Sequence, residues 1–136
     1  MTDRELLELA AKAAGWSFWQ SKHGYLNVID PSGESHVCCQ GWAQFDSISG
    51  EKLPALTLAD GLAECNWNPL TDDGDALRLE VKLRLYVEID KGHTMIGNVA
   101  WHEDSIASGY QHKGDPYAAT RRAIVRAAAE IGRNMK

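Results

Sequence analysis

The feature that most constrains this 136-residue chain is a helix signature near its C-terminus. Asp115 and Pro116 stand where an N-cap carboxylate and an N1 proline belong. The first satisfies an orphan backbone N–H, and the second has no N–H to leave unpaired and a φ already set for the helix. The periodic run that follows reaches Ile131 and meets Gly132, which reads as its stop. Tyr117, Thr120, Ile124, Ala127, Ala128 and Ile131 share one face, so that face is expected in the core, with Arg121, Arg122 and Arg126 mostly off it. A helix with one such face must lay it against another layer, which the rest of the chain has to supply.

The N-terminal residues read as a second helix: Thr2 caps, Glu5 is its capping-box partner, Leu6, Leu9, Ala10 and Ala13 share a face, and Gly15 ends it. Tyr25–Ile29 and Ser35–Cys39 are β-rich runs joined by Asp30-Pro31-Ser32-Gly33-Glu34, where Pro31 fixes φ and Gly33 accepts a positive one. They predict a hairpin. From Gly41 to about Asn66, Gly50, Pro54 and Gly61 interrupt, and loops with a short helix are expected.

Leu77, Leu79, Val81, Leu83, Leu85, Val87 and Ile89 alternate as a strand would, yet thirteen residues is long for one. An acidic, cap-like stretch precedes them, and residues 76–83 are good helix formers. The reading is a helix over about 71–83 and a strand over 85–90; one long strand is the alternative that period alone leaves open. Asp90-Lys91-Gly92 then reads as a hairpin turn, and His93 to Trp101 as the returning strand, with Gly97 a candidate bulge. The elements predict an α+β fold in one domain over 1–136, an antiparallel sheet packed with N-terminal, middle and C-terminal helices in the manner of an α/β/α sandwich.

No apolar run approaches the roughly 20 residues that span a bilayer, and Thr2, Asp3, Arg4 and Glu5 do not resemble a leader, so a cytoplasmic protein without a membrane partner is expected. Three cysteines, two of them the adjacent Cys38 and Cys39, read as reduced thiols rather than a disulfide framework. The net charge of −5 is unevenly spread: residues 116–136 carry five Lys/Arg against one acid, and the remainder nine against eighteen. Nucleic acid is therefore an unexpected partner, with Arg121, Arg122 and Arg126 the only candidate contacts. Basic residues on such a helix also serve simply as a charged outer face.

Asp60, Glu64, Asp72, Asp73 and Asp75 form an acidic stretch without the EF-hand spacing, and capping a helix N-terminus accounts for Asp72 and its neighbours. His36, Cys38 and Cys39 form a local group that lacks the remaining ligands of a zinc motif. No P-loop, dinucleotide fingerprint or nucleophile elbow is present, so no catalytic residue, cofactor or metal ligand is assigned. Convergent active sites need no motif, which keeps open a small hydrolase or nucleotide-acting enzyme using Asp, His and Cys residues. Five tryptophans are many for this length, and Trp16, Phe18 and Trp19 crowd one segment with Trp42 nearby. Aromatic side chains anchor interfaces as readily as they fill cores. Trp16, Trp19 and Trp42, with Asp72 and Asp73 as an acidic contact surface, are thus the candidate contacts for a protein partner.

Two separated segments, Trp67-Asn68-Pro69-Leu70-Thr71-Asp72 leading to Asp75-Ala76-Leu77, and Asp115-Pro116 followed by Ala118-Ala119-Thr120-Arg121-Arg122-Ala123-Ile124, resemble the small tailed-phage proteins of the ABA-sandwich and NinX-like type. The resemblance covers roughly 60–132. It implies a helix opened by the W-N-P-x-x-D start, a short antiparallel sheet and a closing helix begun near a proline, and it favours a helix over 71–83. It further implies a phage- or prophage-encoded accessory protein that binds a host or defence protein. It transfers no catalytic residue.

Overall fold

The computed structural model describes residues 1–20, 26–38, 57–98 and 106–135. The chain is α+β, and all strand pairs among these residues are antiparallel. It divides into two compact units, one built from Met1–Ala14 with Asn68–Lys136 and the other from Gly15–Trp67.

The first unit holds helices α1 (Asp3–Ala14), α3 (Asp73–Leu83) and α4 (Pro116–Asn134), and strands β4 (Leu85–Ile89), β5 (His93–Asn98) and β6 (Ile106–Gln111) in the order β4-β5-β6. Its α1 begins as a capping box: the Thr2 hydroxyl accepts from the Glu5 N–H at 3.2 Å, and the Glu5 carboxylate accepts from the Thr2 N–H at 2.6 Å. Gly15, at φ +100°, ends the helix. α4 is capped by the Asp115 carboxylate, which accepts from the Ala118 N–H at 3.0 Å, and it packs on α1, α3 and all three strands.

Gly132 does not stop α4, which continues to Asn134. Its lack of a side chain serves packing instead, because a Cβ there would lie 2.0 Å from the Leu9 carbonyl oxygen of α1. Ala10, Ala11 and Ala14 on α1 and Ala123, Ala127 and Ala128 on α4 are buried, the small residues that let two helix backbones approach closely. Tyr117, expected in the core, is 71 % exposed. It sits in the first turn of α4, ahead of the buried stretch that begins at Ala123.

The alternating stretch resolves into α3 followed by β4. Asp72 accepts from the Asp75 N–H at 2.7 Å and fixes the helix start. Arg84, at φ +54°, terminates it in the left-handed region, its N–H donating to the Glu80 and Val81 carbonyls. Burial of Asp75, Ala76 and Leu79 with exposure of Leu77 and Val81 follows the helical period rather than the alternation. Between β5 and β6 the register slips between Met95 and Gly97, at the position where the sequence suggested a bulge. Behind this sheet, the fully buried Thr94 hydroxyl lies 2.8 Å from both His112 Nε2 and the Thr120 hydroxyl, tying β5 to α4.

The second unit holds β1 (Ser17–Gln20), β2 (Leu26–Ile29), β3 (Ser35–Cys38) and the short α2 (Leu58–Glu64), with sheet order β1-β2-β3. The hairpin forms in the expected place, with Ile29 opposite Ser35. α2 packs on β2, where Leu26, Val28, Leu58 and Leu62 are almost completely buried. Antiparallel pairing sets Trp19, Asn27 and Val37 in one cross-strand row, and Phe18, Val28 and His36 in the next, on the opposite face.

Candidate functional site

In the second unit the chemistry gathers at the turn between β2 and β3. Asp30 Oδ1 accepts from the Ser32 N–H at 2.9 Å, the Glu34 N–H at 3.0 Å and the Ser32 hydroxyl. Its other oxygen, Oδ2, lies 2.9 Å from His36 Nε2. The Ser32 hydroxyl, then His36 and the two backbone donors, hold the Asp30 carboxyl well below the usual carboxylate range. Backbone bonds between Asp30 and Glu34, and from the Gly33 N–H to the Asp30 carbonyl, close the turn, with Gly33 at φ +95°. One carboxylate therefore fixes the turn with one oxygen and meets an imidazole with the other.

Asp30 and His36 border a cleft of about 550 Å³ whose walls include Trp16, Glu64 and Cys65. Donor atoms of Asp30, Glu34 and His36 all lie within 4.8 Å of one another. Such a set can orient an imidazole or hold a cation. The sequence had grouped His36 with Cys38 and Cys39. The hairpin brings it to Asp30 instead; Cys39 and the Cys38 side chain lie outside the described residues.

A second recess, of about 510 Å³, belongs to the first unit and runs between α3, β4 and the start of α4. Leu77, Ile89 and Tyr117 contribute apolar surface and are 58 %, 59 % and 71 % exposed. Glu80 lies among them, half-buried and without an ion-pair partner among the described residues. Burial pushes its carboxyl above the ordinary value. Arg121 closes one end: Nη1 is 2.6 Å from Asp73 Oδ1, and Nε donates to the Leu70 carbonyl at 2.8 Å.

The candidate partner contacts disperse. Trp16 is half-buried with its ring centroid 5.8 Å from that of Trp67, tilted by 51°. Trp19 is 52 % exposed on β1, with Phe18 and Val37 also exposed. Trp42 lies outside the described residues. Asp72 is occupied as the α3 cap, and Asp73 borders the recess. Asp75 is buried as an acceptor for the Asn68 N–H at 2.9 Å and for Arg78 at 2.8 Å. Of the C-terminal arginines, Arg121 is held by Asp73 and Arg122 by Asp3 at 2.8 Å, while Arg126 is exposed. Sequence reasoning passed over Asp30, Glu34, Glu80 and Cys65. The turn residues and the isolated Glu and Cys carried no motif, and only the pairing of strands and helices places them.

Compared with family models, with curated proteins and with solved structures, the chain shows no match.

Proposed function

We propose that the protein works by binding a protein partner through the recess between α3, β4 and α4. The observation that carries this reading is Glu80: a carboxylate whose solvation is reduced by apolar neighbours, and for which no described side chain supplies a cation. Apolar side chains left open around a single unpaired charge suit a segment that brings its own apolar residues and one Lys or Arg. In the other unit, the exposed Trp19 is a separate candidate contact of the kind interfaces favour. The W-N-P start at Trp67 and the Asp115-Pro116 helix support placing the chain among small phage- or prophage-encoded accessory proteins. On that reading the partner is a host or defence protein in the bacterial cytoplasm.

The test places a photo-reactive phenylalanine analogue at position 117 and identifies what it cross-links in bacterial extract. The captured protein is then purified and titrated directly. Leu77→Asp and Glu80→Lys are expected to weaken its binding at least 10-fold while leaving the melting temperature nearly unchanged, since both positions reach solvent. Trp19→Ala tests the separate contact on the other unit. A captured protein whose affinity is indifferent to both recess substitutions would refute the assignment.

A further inference from the structure

The β2–β3 turn carries a second site, independent of the recess. Three side chains able to ligate a metal come from seven consecutive residues, Asp30, Glu34 and His36, and their donor atoms lie within 4.8 Å of one another. The hydrogen bond between Asp30 and His36 explains two of them. It leaves the exposed Glu34 carboxylate, within 4.8 Å of both, open to a further ligand, since no described side chain or N–H donates to it. Two carboxylates and an imidazole brought this close offer a cation three ligand atoms from one short turn.

We propose that Asp30, Glu34 and His36 bind a divalent transition-metal ion of the zinc class through Oδ2, a carboxylate oxygen and Nε2. One nitrogen and two oxygens form a borderline donor set that suits Zn²⁺ better than the all-oxygen shells of Ca²⁺ or Mg²⁺. Bonds of about 2.0–2.2 Å to a tetrahedral ion separate neighbouring ligand atoms by about 3.3–3.5 Å. The 2.9 Å between Asp30 Oδ2 and His36 Nε2 needs only a small opening to reach that value. Glu34, exposed on the turn, closes the third side by side-chain rotation alone.

The surrounding bonds are those a ligating carboxylate needs. Three donors hold Asp30 Oδ1, so Oδ2 is presented in one direction, the role outer-shell hydrogen bonds play around metal ligands. Three protein ligands leave a tetrahedral ion one position for water or a small anion, and the adjoining cleft gives such a molecule access.

The test uses the full chain freed of metal with a chelator, then titrated with Zn²⁺ by calorimetry and with Co²⁺ by visible absorption. One equivalent is expected to bind, with a cobalt spectrum indicating nitrogen and oxygen ligands. His36→Ala should lower the affinity at least 100-fold, but it also removes the bond to Asp30 and can loosen the turn. Glu34→Gln therefore decides: its side chain makes no bond within the turn, so the circular dichroism should stay unchanged while Zn²⁺ affinity falls at least 10-fold. Failure of the unaltered chain to bind Zn²⁺, or binding that Glu34→Gln leaves intact, would overturn the site.

Discussion

Gly132→Ala separates packing from propensity, because the two predict opposite signs. In an exposed helix interior the change stabilises by about 1 kcal/mol, since Ala loses less backbone entropy and is the better helix former. At position 132 the new Cβ would stand 2.0 Å from the Leu9 carbonyl oxygen and 2.8 Å from its carbonyl carbon, where ordinary contact begins near 3.4 Å. The obstacle is backbone, so no rotamer relieves it, and α1 must retreat from α4 by about 1.4 Å. A radial gap of about 0.5–1 Å already forfeits a quarter to a half of each dispersion contact along the seam. Ala10, Ala11 and Ala128, all fully buried, lie in the two helices that would part. Overpacking of this kind costs about 3 kcal/mol, which leaves a net loss of about 2 kcal/mol after the propensity gain.

Urea unfolding followed by far-ultraviolet circular dichroism measures this directly. A loss of that size lowers the midpoint by about 1 M for a slope near 2 kcal/mol/M. Gly74→Ala is the contrast: its Cβ would meet no backbone, only the Arg78 guanidinium at 3.2–3.3 Å, which can move, and at 3.1 Å Asp72 Oδ2, the oxygen that caps the helix. It is expected to stay within about 1 kcal/mol of the parent, the propensity gain being set against any disturbance of the cap. A Gly132→Ala variant as stable as the parent chain would show that α1 does not press on α4 as described.

Three further substitutions probe the α3 region. Arg84→Gly, at the left-handed position that ends α3, should stabilise by about 0.5–1 kcal/mol, read as a higher urea midpoint. Asp75→Ala strips the buried acceptor from the Asn68 N–H and should cost about 2–3 kcal/mol by the same assay. Glu80→Gln tests the pH dependence of the recess. Burial raises the folded-state value of this carboxyl above 4.5, so its favourable contribution is complete below that pH and is lost as pH rises through the folded value. The variant should therefore match the parent near pH 4 and exceed it in midpoint at pH 7, and an unchanged difference between the two pH values would contradict the assignment.

How far the fold was legible follows from whether each signal was local. The end of α3 and the start of β4 could be read because Asp72 and the helix formers after it act within a few residues, overriding a period that suggested one long strand. β1 and β6 went unread. Ser17-Phe-Trp-Gln has no alternation to mark a strand, and Ile106-Ala-Ser-Gly-Tyr-Gln is rich in small and polar residues. Both are strands because an existing partner offers its free edge, β2 to the first and β5 to the second. Gly132 was misread for a related reason. A glycine after a periodic run looks like a stop, and only the passage of Leu9 beside it reveals the other use.

The two candidate sites were less legible than the fold, and for different physical reasons. Around the turn every contributing residue was visible, and Pro31 and Gly33 marked the bend. Yet His36 was associated with Cys38 and Cys39 by sequence proximity. The register sets His36 opposite Val28, on the same face as Asp30 two residues further along, so that the two side chains meet diagonally across the hairpin. A register is a property of two strands together, and one residue of slip would have turned His36 to the other face. The recess is more remote still, since Glu80, Ile89 and Tyr117 come from three elements spread over 38 residues. On a helical wheel Glu80 is an unremarkable acid. Its character comes from the neighbours that reduce its solvation, and those are assembled only when α3, β4 and α4 pack together. Tyr117 illustrates the same dependence in reverse: its position on the wheel is that of a core residue, but the packing of the first turn of α4 leaves it exposed beside the one carboxylate in the recess that lacks a described partner. The position where local reading failed is thus part of the surface proposed for the partner, as expected where binding, rather than core packing, sets the environment of a side chain.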